Sequence, residues 1–368
     1  MITTATQIEV GGGVKARQVR ERSQGVPTSF SEVPIIDLSD IESVDKTKRL
    51  ALASKIYDAC TQVGFFYIKN HGISSSSVMQ IRAEADRFFK GLTLEQKMAM
   101  DRNRSEYHLG YSPFEAEKKE GSTGARVHQF ETFMFGRQAA FDRKCGARVD
   151  PKNDAENQWP KEAELPGFKD AVGSCFGEML TLSRKLVQIF ALALNLDESF
   201  FDKIDRTGSL LAMNYCAPRR LEVNMNTAIM AHTDHELFTI LLQSEGVDAL
   251  EIVNGDGVWV PAKPIPDAFV VNIGDALSIW TNNIFVSALH RAENGSGAER
   301  YSIPFFFGAN YDVVMETLPS CISKSRPRKK EYHGGEALLE QDELCLWPSC
   351  CLSERCPVPY SRIWITAI

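Results

Sequence analysis

Leu250-Glu251-Ile252-Val253, closed by Asn254-Gly255-Asp256-Gly257, is a short apolar run ended by a turn, and the same unit recurs on both sides of it. Upstream lie Leu210 to Asn214 and Phe238 to Gln243. Downstream lie Phe269 to Ile273, Leu277 to Trp280, Phe285 to His290 and Tyr301 to Phe307, with Gly274-Asp275 as a further turn. Short runs rich in β-branched and aromatic residues, punctuated by Gly, Asn and Asp, read as strands. A regular series of them suggests a double-sheet jelly roll. Before Ser209 the pattern differs. Apolar residues recur at helical spacing from Lys46 to Val63, with Gly64 just past the helix end, from about Ser76 to Phe89, and from about Phe168 to Leu194. Val33-Pro34-Ile35-Ile36-Asp37, Phe65 to Ile68 and Gln129 to Phe135 read as strands. The rest of Glu106 to Pro166 is irregular, as substrate loops often are.

The residues that can carry chemistry sit in the β-rich half: His232-Thr233-Asp234, then His290, then Arg300-Tyr301-Ser302. Residues two apart on a strand share a face, so His232 and Asp234 are expected to project together, and Arg300 and Ser302 likewise. A lone His-x-Asp triplet is most often a solvated strand end. Here 56 residues of strands and turns separate Asp234 from His290, and ten separate His290 from Arg300. Two imidazoles and one carboxylate form a facial ligand set that leaves positions open and suits non-haem Fe(II) activating O2. Arg300 adds a fixed cation for an acidic co-substrate. Of the seven histidines only His232 and His290 fit this spacing. His71, in Asn70-His71-Gly72, reads as a structural hydrogen-bonding residue, and His235 is expected to point away from the triplet's face.

At 368 residues and 43% hydrophobic content the chain can bury a sizeable core. A net charge of −7 without a concentrated Lys/Arg stripe argues against a nucleic-acid partner. Nine cysteines, an odd number spread over a long chain, read as reduced thiols. No apolar run approaches a membrane span, and the first residues lack a secretory apolar core. The expectation is a cytoplasmic protein with a small-molecule substrate, no membrane partner, and a monomeric state by default.

With these residues in place, the chain resembles the Fe(II)- and 2-oxoglutarate-dependent dioxygenases of the isopenicillin N synthase-like superfamily. The resemblance runs from about Val33 to Tyr311. It rests on Val33 to Asp37, Gly64-Phe65-Phe66-Tyr67, Asn70-His71-Gly72, Asn214-Tyr215, Ala231 to Asp234, Asn272-Ile273-Gly274-Asp275, Leu289-His290-Arg291 and Arg300 to Phe306. It implies a fold that is mainly β with flanking helices, a distorted double-stranded β-helix (jelly-roll) barrel. The resulting division is a flexible N-terminal extension (1–30), an N-terminal α/β region (31–200), a jelly-roll catalytic core (201–315) and a C-terminal helix with an atypical Cys-rich tail (316–368).

The resemblance further implies His232, Asp234 and His290 as iron ligands and catalytic centre. Arg300 and Ser302 would clamp the distal carboxylate of 2-oxoglutarate, with Asn214 and Tyr215 as further co-substrate contacts. Tyr111, Phe133, Phe135 and Phe307 would be pocket residues for an apolar organic substrate. O2 is the oxidant, and ascorbate is a candidate reductant. The implied reaction is hydroxylation, desaturation, cyclisation or ring expansion of a small molecule, in secondary-metabolite biosynthesis, with release of succinate and CO2. A near rival is a 2-oxoglutarate-independent Fe(II) oxidase of the isopenicillin N synthase or aminocyclopropane carboxylate oxidase type, which also keeps an Arg-x-Ser. A remote one is an inactive jelly-roll binding protein. Two features depart from the family pattern. Cys216 stands where related plant enzymes carry the second Tyr of Asn-Tyr-Tyr-Pro, and the tail carries Cys345, Cys350, Cys351 and Cys356.

Overall fold

A computed structural model describes residues 27–105, 108–113, 130–144, 156–204, 207–218, 227–310, 313–327 and 332–333. The expected N-terminal extension up to residue 26, the basic residues Arg328 to Lys330 and the cysteines of the tail lie outside them.

The order of elements follows the periodicities. Strand β1 (Ile35–Asp37) precedes helix α1 (Lys46–Gln62), strand β2 (Phe65–Lys69), and helices α2 (Ser75–Gly91) and α3 (Leu94–Met98). Asp45, Ser74 and Thr93 cap the three helices by accepting backbone N–H bonds. Thr93 and Gln96 form a reciprocal capping box, the local signal for α3, which hydrophobic periodicity alone misses. Strands β3 (Gly110–Ser112) and β4 (Glu131–Gly136) lead to the long helix α4 (Phe168–Ala193). The β-rich half supplies β5 (Leu210–Cys216), β6 (Thr227–His232), β7 (Phe238–Gln243), β8 (Leu250–Val253), β9 (Trp259–Pro261) and β10 (Phe269–Ile273). Helix α5 (Asp275–Trp280), β11 (His290–Glu293) and β12 (Arg300–Phe307) complete it.

Two expected strands are corrected. Leu277 to Trp280 lies in α5, because Asp275 and Ala276 donate backbone N–H bonds to the carbonyls of Asp234 and His235 and Ser278 closes a helical turn on Gly274. A short apolar run does not by itself distinguish a strand from a buried helix. Of Phe285 to His290, only His290 is in a strand; Val286 instead bonds the Cys60 carbonyl at the end of α1.

Eight strands form one sheet in the order β1-β2-β10-β7-β12-β5-β4-β3, and four form a second in the order β6-β11-β8-β9. The fold is sheet-rich with flanking helices, the jelly-roll architecture expected. Strands before and after α4 share the large sheet: β2 pairs with β10 and β4 with β5. Alternation then sorts the strands of the large sheet into two faces. Phe66, Phe133, Phe135, Leu211, Met213, Ile240, Val271, Ile303, Phe305 and Phe307 belong to the core built with α1, α2 and α4. Their neighbours Phe65, Tyr67, Met134, Leu210, Ala212, Leu241, Val270 and Phe306 belong to separate clusters on the opposite face, inside the barrel.

One glycine fixes how the helical layer meets the barrel. Gly64 ends α1 with φ +77° and passes the chain into β2, and a Cβ there would lie 2.2 Å from the Val286 carbonyl oxygen. This is the left-handed C′ position that favours glycine. Gly64→Ala is expected to destabilise the protein by about 2–3 kcal/mol, from left-handed strain plus overpacking. Urea denaturation checks it. Loss below about 0.5 kcal/mol would mean that the backbone yields there.

Candidate metal and co-substrate site

His232 closes β6, and His290 opens β11 directly opposite it in the antiparallel ladder, so their rings meet with centroids 4.3 Å apart. Asp234 lies two residues past the end of β6. Its place therefore comes from tertiary contacts rather than from strand alternation: the Asp275 N–H donates to its carbonyl, at the start of α5. The Thr239 hydroxyl and the Asn272 side-chain amide, from β7 and β10, both donate to Asp234 Oδ2. That leaves Oδ1 facing the imidazoles, 3.6 Å from His232 Nε2 and 3.7 Å from His290 Nε2. One ligand atom from each residue falls within 4.8 Å of the others. A single ion with bonds of about 2 Å to imidazole and carboxylate fits these separations.

The surroundings fix each ligand. Burial pushes the Asp234 carboxyl up, but the adjacent imidazoles and the two hydrogen bonds outweigh it and hold the group below its ordinary range. His290 Nδ1 sits 3.1 Å from the Ala288 carbonyl, the backbone partner that leaves Nε2 for a metal. Phe65 packs edge-on against the same ring at 5.1 Å. His235 points elsewhere, its Nδ1 3.7 Å from Asp275 Oδ2, as its neighbour position implied. His71 accepts from the Ile73 N–H and packs on Phe269, a structural part in its turn.

Farther along the barrel wall, Arg300 and Ser302 occupy inward positions of β12, opposite Cys216 and Asn214 of β5. Arg300 is 2% exposed, burial lowers its pKa, and its Nη1 has no hydrogen-bond partner among the described residues. A buried guanidinium with an unsatisfied N–H asks for an acceptor, and a bidentate carboxylate meets that need. Ser302 and Asn214 are equally enclosed, and Asn214 accepts from Thr132 at 2.6 Å.

The remaining expected site residues do not join this group. Tyr215 alternates to the helical face, stacking on Phe89 at 5.3 Å and donating to Glu299 Oε1 at 2.9 Å. Tyr111, Phe133, Phe135 and Phe307, expected as substrate contacts, are corrected to core residues. All four sit on the helix-packed face. Tyr111 donates to Glu131 Oε2, Phe133 and Phe135 meet Trp159, and Phe307 packs on Phe238. The inward set they leave is Met134, Leu210, Ala212 and Phe306, with Leu109. Phe306 pairs in register with Thr239, the residue that holds Asp234. Thr239 and this inward cluster were legible only through the parity of each strand, counted from His232 and Arg300.

Comparison with known proteins agrees with this geometry. Residues 33–162 match the family described as non-haem dioxygenase in morphine synthesis N-terminal, and residues 207–309 match the 2OG-Fe(II) oxygenase superfamily. The chain is 34% identical over 347 residues to the 2-oxoglutarate-Fe(II) type oxidoreductase ppzC of Metarhizium rileyi, covering 89% of this chain and 90% of that protein. It is 30% identical over 335 residues to a homoarginine-6-hydroxylase of Oryza sativa, covering 85% and 94%. Among solved structures, a full-length Neurospora crassa protein in complex with alpha-KG superposes with a TM-score of 0.75 at 25% identity, covering 87% of this chain and 98% of that one.

Proposed function

The chain belongs to the 2OG-Fe(II) oxygenase superfamily, and from that premise we propose that His232, Asp234 and His290 hold its Fe(II) while Arg300 and Ser302 hold the distal carboxylate of 2-oxoglutarate. The enzyme is an Fe(II)- and 2-oxoglutarate-dependent oxidoreductase that uses O2. Fe(II) held by His232, Asp234 and His290 would supply the redox chemistry that couples oxidative decarboxylation of 2-oxoglutarate by O2, to succinate and CO2, with oxidation of a substrate C–H bond. The observation that carries the residue assignment is the buried Arg300 on β12, whose Nη1 has no partner among the described residues, beside a triad gathered from β6 and β11 of the other sheet. A buried guanidinium with an open donor suits the distal carboxylate of 2-oxoglutarate, the co-substrate named for the family and for the relatives that this chain matches.

The protein's own contribution is orientation and exclusion of water. Thr239 and Asn272 hold Asp234 with Oδ1 toward the ion position, and the Ala288 carbonyl holds the His290 ring. Ser302 adds a hydroxyl donor two positions from Arg300, so the co-substrate is held at its far end. Phe65, Met134, Leu210 and Phe306 keep the surrounding wall dry.

The substrate reading follows from the same wall. Among the described residues, the inward positions of β5, β7, β10 and β12 carry one cation, Arg300, and no acid; the buried acids Asp234 and Glu236 lie in the loop between β6 and β7. An uncharged, largely apolar small molecule, of the kind made in secondary metabolism, suits this lining better than a guanidinium substrate. Cytoplasmic location, a monomeric state and ascorbate as reductant belong to the same proposal; among the described residues no helix is long and apolar enough to cross a membrane. The test is succinate release under air with Fe(II), 2-oxoglutarate, ascorbate and a panel that includes homoarginine and neutral heterocycles. Stimulation by neutral compounds and none by homoarginine is the expected result. Homoarginine-driven succinate would overturn the substrate reading, and no dependence on 2-oxoglutarate would overturn the co-substrate assignment.

A further inference from the structure

Resting on the assignment of Arg300 to the co-substrate, we infer that Cys216 is a positioning residue of the carboxylate clamp, its thiol holding the guanidinium so that Nη1 stays open to 2-oxoglutarate. Three observations meet at this residue. Cys216 faces Arg300 directly across the β5–β12 ladder and is 1% exposed. Side chains directly opposite in an antiparallel ladder meet, so the thiol faces the guanidinium, which is itself buried and whose Nη1 has no partner among the described residues. Cys216 also clusters with Phe130, beside β4, and Ile229, on β6, so it sits between the strand that carries Arg300 and the sheet that carries His232.

The chemistry of sulfur suits this part. A carboxylate at position 216 would orient Arg300 but neutralise it, and the site would no longer attract an anion. A thiol is a weak acceptor. It gives the guanidinium a preferred plane and leaves its charge for the incoming carboxylate, which binds far more strongly. Pre-orientation of this kind improves binding by lowering what must be ordered when the ligand arrives.

The experiment compares the full-length protein with Cys216→Ala, Cys216→Val, Cys216→Ser and Arg300→Gln. Dissociation constants for 2-oxoglutarate are measured by calorimetry with Fe(II) under anaerobic conditions, alongside KM and kcat. Loss of the acceptor in the alanine and valine variants is expected to weaken 2-oxoglutarate binding about fivefold, with the effect falling on KM for 2-oxoglutarate rather than on kcat. Serine, which restores an acceptor of similar reach, is expected to recover binding to within about twofold. Valine keeps the side-chain bulk, so it carries the test if the smaller alanine unsettles the fold. Alanine and valine variants that bind as tightly as the native protein overturn the inference, as does a serine variant no better than valine. If Arg300→Gln also binds normally, the earlier assignment of the clamp fails. If only that variant loses binding, the clamp stands and the role of Cys216 alone is overturned.

Discussion

Replacing Asp234 with alanine is expected to abolish Fe(II) retention and substrate-dependent succinate release together. Asp234 supplies the one carboxylate of the triad, and its Oδ1 stands within 3.7 Å of both imidazole Nε2 atoms. Groups that merely orient a metal ligand cost about 10–100-fold when removed, so loss of the ligand itself is expected to exceed about 100-fold in affinity. The measurement is iron bound per chain after desalting, with turnover recorded on the same sample. Thermal stability should move less, because two effects oppose. The Thr239 hydroxyl and the Asn272 amide lose their shared acceptor, at about 1–3 kcal/mol, but a buried carboxylate no longer has to be desolvated. Retained turnover in Asp234→Ala would refute the ligand assignment outright.

Arg300→Gln should leave iron in place and remove 2-oxoglutarate. Truncating one partner of a buried, hydrogen-bonded charge pair typically costs about 2–5 kcal/mol, which corresponds to a roughly 30-fold to several-thousand-fold rise in the dissociation constant. The residue is 2% exposed, so little water is at hand to replace the lost guanidinium. Arg300→Lys is expected to recover only part of the loss, since an ammonium cannot present the planar two-point fork. Iron content and 2-oxoglutarate affinity measured on the same preparations separate the two sites. An Arg300→Gln enzyme with native affinity for 2-oxoglutarate but lowered iron would show that the arginine supports the metal instead.

The chemistry of the site was legible because it is written in residue types and in strand parity. Residue types and spacing singled out His232, Asp234, His290, Arg300 and Ser302, the family resemblance supplied their roles, and the structure gathers His232, Asp234 and His290 within 4.8 Å although Asp234 lies past its strand. The same parity would have warned against Phe133, Phe135 and Phe307. Met134 and Phe306 sit one residue away on the same strands and face the barrel interior, so their neighbours must face the helices. Aromatic character drew attention to those residues, yet large apolar side chains fill a core more often than they touch a ligand.

The sequence by itself determined the helical layer, the series of short strands, the ligand types and the cation, because periodicity, turn residues and side-chain chemistry act locally. Tertiary structure alone decided three further points. Asp234 is oriented from β7, β10 and α5 and not by its own strand. Leu277 to Trp280 became a helix through backbone bonds to the loop that carries Asp234. Cys216 came to face Arg300 across the β5–β12 ladder, 84 residues apart in the chain. Each depends on contacts between segments distant in the chain, and those form only when the sheets pair and exclude water.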